Sequence, residues 1–229
     1  MNDRESIPNG GKKTFSLPAI WKDHKLKILL AAFAVLALII GLLQCASRPK
    51  YDLFLLYAGP QYIDGSTYRK ILSSVSSLCA GDGADPGIAF DRITYVPGRL
   101  AETYQQSGTY YNGARNAEAE ETFRYTLAAG EYCILLLDRE LYDSVSELGV
   151  FVKLPDSVKE ETCYDDHALR LSALPLGKKD GLSSLPEDTL LVLRDQSFLQ
   201  SLLTNKETRR LTYEKQVEYF DLLAGIDRP

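Results

Sequence analysis

This 229-residue chain has few histidines and cysteines and none of the common catalytic signatures. Its two histidines are His24, ahead of the longest apolar run, and His167, which stands beside Asp165 and Asp166 and reads as a surface residue rather than a general base. No G-x-S-x-G, H-E-x-x-H or P-loop pattern occurs, so hydrolase, metalloprotease and nucleotide-hydrolysing readings lack their usual parts. Neighbouring acids such as Glu120 with Glu121, or Glu160 with Glu161, make a solvated face, because acid and base work needs a pair assembled in space. Asp82 and Asp85 lie in GDGADPG, but the alternating acids, glycine and closing acid of a calcium loop are out of register, and a polar turn is the reading. Lys178 and Lys179 read as a solvated loop. These absences predict no catalytic residue, no metal and no cofactor. Of the four cysteines, Cys45, Cys79, Cys133 and Cys163, only the last three follow the apolar run, and no C-x-x-C pair occurs. They allow at most one disulfide and leave its partners open, buried thiols being the alternative.

What the chain does have is one long apolar run. Ile28 to Leu43 reads ILLAAFAVLALIIGLL, without charge or proline. Extended to Ala46 it offers about 19 residues, which at about 1.5 Å each nearly span a hydrocarbon core of about 30 Å. The expected organisation is a cytoplasmic tail over 1–25, a transmembrane helix over 26–46, a stalk over 47–50 containing Pro49, and an extracytoplasmic α/β domain over 51–229. Arg4, Lys12, Lys13, Lys22, Lys25 and Lys27 precede the run while only Arg48 and Lys50 follow closely, which places the amino terminus inside. Trp21 among those lysines suits the inner interface. A cleaved signal peptide and lipidation at Cys45 are the competing readings. The lead is long for the first, and Gln44 stands where a lipobox wants a small residue. The localisation expected is therefore the cell membrane, single-pass, through Ile28 to Leu43.

Charge separates the two parts. Residues 1–50 hold eight Lys or Arg against three acids, net +5, so residues 51–229 carry −10 of the chain's −5 total. An acidic outer domain argues against nucleic acid as a partner.

That domain alternates strand and helix signals. Tyr51 to Ala58 is apolar on both faces, as a central strand would be, and ends at Gly59 and Pro60. Tyr68, Ile71, Leu72, Val75 and Leu78 follow at helical spacing with Ser66 available as cap, and Ile88 to Val96 reads as a second strand with an irregularity near Asp91. A short helix over Arg99 to Gln106 and a longer one over Arg115 to Ala129 precede the buried strand Tyr132 to Leu137 and a helix over Arg139 to Leu148. Ala168 to Leu174 and Thr189 to Arg194 are strand candidates, and Ser197 to Leu203 and Lys206 to Ala224 are helical patterns.

The stretch Leu127 to Pro155 brings together Ala128, Ala129, Gly130 and Glu131, the apolar Ile134 to Leu137, Asp138, Leu141, Leu148, Gly149 and Leu154. In this it resembles extracellular solute-binding proteins of the periplasmic-binding-protein-like kind. The likeness implies an α/β fold class: after the N-terminal transmembrane helix, a three-layer, mainly parallel sheet domain resembling one lobe of that fold. Cys133 stands where the family often has an acid, and the chain is too short for a complete second lobe. A single lobe cannot close on a solute as a hinged pair does. The arrangement of a basic, aromatic lead, one anchor and an outward domain also looks like a group of small single-pass bacterial membrane proteins, whose function the likeness does not supply.

In a parallel sheet, ligands gather at the carboxyl ends of strands. The candidate ligand-binding residues there are Tyr57, Gly59, Tyr62, Asp138 and Arg139, with Pro97 nearby; tyrosines can stack on a sugar or peptide, and Arg139 can pair with a carboxylate. Asp138 capping the next helix is the plainer alternative. The expected function is a non-catalytic, membrane-anchored extracytoplasmic binding or protein-interaction module, its partner a small ligand or an envelope protein. A cell-envelope enzyme using acids assembled by the fold, and a structural subunit of a membrane complex, are the alternatives.

Overall fold

The computed structural model describes residues 27, 29–30, 33–41, 51–80, 86–107, 111–195 and 206–226, the last stretch by its backbone alone up to residue 210. The chain divides into two units, Met1–Pro49 and Lys50–Pro229. In the first, the described residues between 27 and 41 are helical. Among the described residues no helix is long and apolar enough to cross a membrane. The expected span Ile28 to Leu43 lies partly outside them. The tail, the stalk, Asp82, Asp85 and the helical pattern Ser197 to Leu203 lie wholly outside.

The second unit alternates strands and helices. In chain order these are β1 (Leu53–Gly59), α1 (Gly65–Cys79), β2 (Ile88–Thr94), α2 (Gly98–Gln106), α3 (Gly113–Ala129), β3 (Ile134–Asp138), α4 (Arg139–Ser146), β4 (Ala168–Arg170), β5 (Thr189–Leu193) and α5 (Lys206–Ala224). The sheet order is β2-β1-β3-β5-β4. β1 pairs in parallel with both β2 and β3, whereas β5 runs antiparallel to β3 and to β4. Four strands therefore share one direction and β5 alone is reversed, so the sheet is mixed.

Period-two alternation sorts the core into two layers around the sheet. Leu53, Leu55 and Tyr57 pack with Ile71 and Val75 of α1 and with Phe220 and Leu223 of α5. Leu56 and Ala58 face the other way, onto Phe123 and Leu127 of α3 and Leu141, Tyr142 and Val145 of α4. A strand covered on both faces must be apolar throughout, which is what LFLLYAG and ILLLD supply. The result is a three-layer α/β domain.

Several expectations are corrected in detail. The α1 cap is Asp64 rather than Ser66: Asp64 Oδ1 accepts from Thr67 N–H at 2.7 Å, and the Ser66 hydroxyl donates to the same carboxylate oxygen at 3.0 Å. A carboxylate is the stronger acceptor, so the hydroxyl becomes its supporter. β2 runs in unbroken register from Leu53↔Ile88 to Gly59↔Thr94, with no irregularity at Asp91, because an edge strand leaves that side chain in solvent. β4 is three residues long, and Leu171–Ala173 turns into a 3-10 helix instead of continuing it. Gly177 packs so closely on that turn that an added Cβ would run into Leu171 O. Cys79, Cys133 and Cys163 are all free thiols. Burial pushes the Cys79 thiol up to about 12 and the Cys133 thiol up to about 11, Arg194 pulling the latter partly back.

Candidate functional site

β1 is the turning point of the sheet. From it the chain passes through α1 to β2 on one side, then through α2 and α3 to β3 on the other. Where strand order reverses in this way, the loops leaving the two strands diverge and a crevice opens at their carboxyl ends. Here it lies between the turn following Gly59 and the Asp138–Arg139 junction.

In this chain the crevice is filled from within. Asp138 ends β3 and caps α4, its Oδ1 accepting from Glu140 N–H at 2.9 Å. Arg99, in the first turn of α2, donates from Nη1 to Asp138 Oδ1 at 3.2 Å and from Nη2 to Oδ2 at 2.6 Å. Arg99 Nη2 also donates to Asp188 Oδ2 at 2.5 Å, and Glu140 Oε2 stands 3.7 Å from Nη1. Glu140 is held in turn by Gly98 N–H at 2.6 Å and by the Tyr95 hydroxyl at 3.3 Å. Antiparallel pairing brings the fourth member in, because Asp138 lies opposite Thr189 and so Asp188 arrives at the same sheet end. Three carboxylates thus converge on one guanidinium. The Asp138 carboxylate side chain is fully buried, and its hydrogen bond is the chief reason Arg99 is held above its usual range.

The five sequence-derived residues are placed differently from one another. Tyr57 is buried; its hydroxyl accepts from Gln61 N–H at 3.0 Å and its ring folds over Gly59, where an added Cβ would fall 2.6 Å from Oη. Burial above all pushes this phenol well up, the Gln61 N–H opposing it and Asp138 and Asp188 adding to it. Tyr57 and Gly59 therefore shape the turn and face no open space. Asp138 sits in the ion cluster, whereas Arg139 is exposed and takes no part in it. Tyr62 is exposed and lines a cavity to one side.

That cavity, of about 610 Å³, runs along the open edge of β2 and the first turns of α3. Tyr62, Tyr104 and Tyr111 supply aromatic rings, and Arg92 and Arg115 supply cations. Among the described residues neither arginine pairs with a carboxylate; the Arg92 guanidinium lies 5.4 Å from the Tyr68 ring centroid. Asn116 closes the inner end, its Oδ1 accepting from Val96 N–H at 2.7 Å and its Nδ2 donating to Val96 O at 2.9 Å.

Compared with known proteins, the chain matches no family model, no curated protein and no solved structure. The site must be read from its own chemistry.

Sequence reasoning missed Arg99, Glu140 and Asp188, and with them Arg92, Arg115 and Asn116. Asp188 reaches Arg99 only because β5 is reversed, and Arg99 reaches Asp138 and Glu140 across about 40 residues of sequence, neither of which has a local signature. A second cavity, of about 500 Å³, contains Asp156, Glu160, Asp165 and Asp166 with Lys153. Its acids are committed in part to structure: Asp165 accepts from the Tyr142 hydroxyl at 2.6 Å and from two backbone amides, and Asp166 lies 3.6 Å from Lys153 Nζ. Among the described residues no cluster of acids, histidines and cysteines has the arrangement of a metal site.

Proposed function

We propose that this protein is a membrane-anchored extracytoplasmic binding or protein-interaction module that does no chemistry on its partner. The observation that carries the reading is the contrast between the two ends of the site. The crevice where an α/β sheet offers reactive groups is occupied by an internal ion cluster, while the neighbouring cavity presents tyrosines and two arginines that pair with no carboxylate among the described residues. Rings and fixed cations bind and orient; a guanidinium stays protonated and is no proton donor at neutral pH. An envelope enzyme using paired acids would need open space between its carboxylates, and Arg99 fills the space between Asp138 and Asp188.

The tether is supported by the apolar run and by its flanking charges, and by a helix whose Leu29, Leu30, Phe33, Val35, Leu36, Leu38, Ile39 and Ile40 are 45–72% exposed. The likeness of Leu127 to Pro155 to solute-binding proteins adds to the binding reading, and on it residues 51–229 form one lobe of that fold. One lobe cannot clamp a solute, which favours a partner held at a surface.

Two measurements on the full chain test this. In cells expressing it, carbonate-washed membranes should retain the protein, and protease added to spheroplasts should digest the domain while sparing the basic tail. The detergent-purified protein should release no product from peptidoglycan or envelope polysaccharide. Protease resistance of the domain in intact spheroplasts would remove the extracytoplasmic placement. Product release that disappears with Asp138→Asn would replace the binding reading with the enzymatic one.

A further inference from the structure

The open edge of β2 has a main-chain pattern that a small anion would leave unused. Tyr95 N–H donates to Gly59 O, so the odd-numbered residues at this end of β2 turn their main-chain groups toward β1. The even-numbered residues Arg92, Thr94 and Val96 turn theirs outward. At Val96 both outward groups are met by one carboxamide, that of Asn116. Asn116 thereby occupies one rung of a ladder that continues along the cavity. At the far rung Arg92 N–H already donates to Asp91 Oδ1 at 2.8 Å. Among the described residues Thr94 N–H, Thr94 O and Arg92 O have no hydrogen-bond partner and lie along the cavity, at the spacing of an incoming strand.

We propose, on the strength of the binding-module reading, that this edge takes an extended, acidic peptide segment of a partner protein as an added strand. The backbone of that segment would pair with Thr94 and Arg92, and its carboxylates would meet Arg92 and Arg115. The two arginines suit successive side chains. Arg92 lies with Tyr68 of α1 on one face of the sheet, and Arg115 belongs to α3, which covers the other. Side chains of an added strand alternate between those faces. Among the described residues Glu118 is the one carboxylate lining the cavity, so the ionisable lining they form is net positive within a domain of net −10. The acidity of the domain acts against an acidic partner at long range. At physiological salt that field is screened over about 8 Å, so contacts at the two guanidiniums decide. Tyr62, Tyr104 and Tyr111 supply stacking surface beside the strand.

The test uses the full chain in detergent and an array of terminally blocked heptapeptides in which two adjacent Glu, Gln or Lys residues, one for each face of the added strand, are flanked by Val, Thr and Tyr. The Glu set should bind, the Gln set about tenfold more weakly, and the Lys set not at all. Arg92→Gln with Arg115→Gln should erase the preference for Glu over Gln. Thr94→Pro removes one outward donor and no bond to β1, so it should abolish peptide binding with the melting temperature unchanged. Binding of a Glu peptide should also slow amide exchange at Thr94, which a salt bridge to side chains alone would not. Equal binding of the Glu and Gln sets, binding that survives Thr94→Pro, or an array that binds nothing would each overturn the proposal. So would a dimer of the free protein that Thr94→Pro converts to monomer, because a second copy would then hold the edge. Peptides that bind regardless of these substitutions would leave the binding module standing with its site elsewhere. The polymer-release assay tests that module separately.

Discussion

Asp138 has no exposed side-chain surface, and its charge is balanced by Arg99, whose side chain is 30% exposed. The two partners are therefore unequal. Replacing Arg99 by Met leaves a buried carboxylate with no cation, and removing one partner of a buried pair costs about 3–5 kcal/mol. Asp138→Asn keeps an acceptor for Glu140 N–H and leaves Arg99 with Asp188 and Glu140 at the surface, so it should cost clearly less. Denaturant midpoints of the two variants check the order, and an Arg99→Met loss below about 1 kcal/mol would show that water reaches Asp138. The phenols and thiols make a second prediction. Tyr57, Tyr95 and Tyr142 are pushed well above the usual phenol range, each chiefly by burial, and Cys133 moves from 9.0 up to about 11. An acid whose folded pKa is raised keeps its proton in the native state after the unfolded chain has lost it. Stability is then full below the unfolded value and falls as pH rises through the window to the folded one. Melting temperatures should be level through neutral pH and decline above about pH 9, and Cys133→Ala should remove part of the first decline. A melting curve unchanged to pH 11 would mean these groups are already solvated.

Two carboxamides act as rungs for main chains that lack a strand neighbour. Asn116 does so for Val96, and Gln216 of α5 does so at the start of β1, accepting from Phe54 N–H at 3.0 Å and donating to Asp52 O at 2.5 Å. Gln216 is fully buried, so Gln216→Leu would keep the packing and strand two polar groups, at about 1–3 kcal/mol each where water cannot replace the amide. The expected loss is about 2–6 kcal/mol, with faster amide exchange at Phe54 as its local signature. An unchanged Phe54 exchange rate would place the anchoring of α5 in Phe220 and Leu223 instead. The strands and helices themselves were legible because burial writes on the sequence. YDLFLLYA and YCILLL are apolar on both faces, Gly130 stops α3 at φ +72°, and Asp138 follows a buried strand. Strand direction is not written locally. Nothing in Thr189 to Leu193 distinguishes a reversed strand from a parallel one, and that reversal is what delivers Asp188 to Arg99. The edge site was half legible: Tyr62 was picked from its loop, while Arg92 and Arg115 are ordinary surface arginines until β2 is known to be an edge.

At the scale of the whole molecule, the sequence separates a basic, apolar lead from an acidic domain, net +5 against −10. On the proposed reading the lead is a permanent tether, and a tether limits partners to those near the bilayer. That suits a strand-edge site better than a carrier of solutes, because two proteins confined to one thin layer meet at high effective concentration and need only modest affinity. The dependence can be broken without touching the domain. A charged residue at the centre of a membrane helix costs about 2.5–3.5 kcal/mol, so Leu36→Arg with Ile39→Arg should defeat insertion of Ile28 to Leu43. The double variant should leave the membrane pellet for the supernatant, with the unfolding transition of residues 51–229 unmoved. Retention in carbonate-washed membranes despite both arginines would mean that something other than this run holds the chain, lipidation at Cys45 being the first to examine by mass. Release together with a lowered melting temperature would mean that the run packs against the domain, and the tether would then have to be abandoned in favour of a core helix.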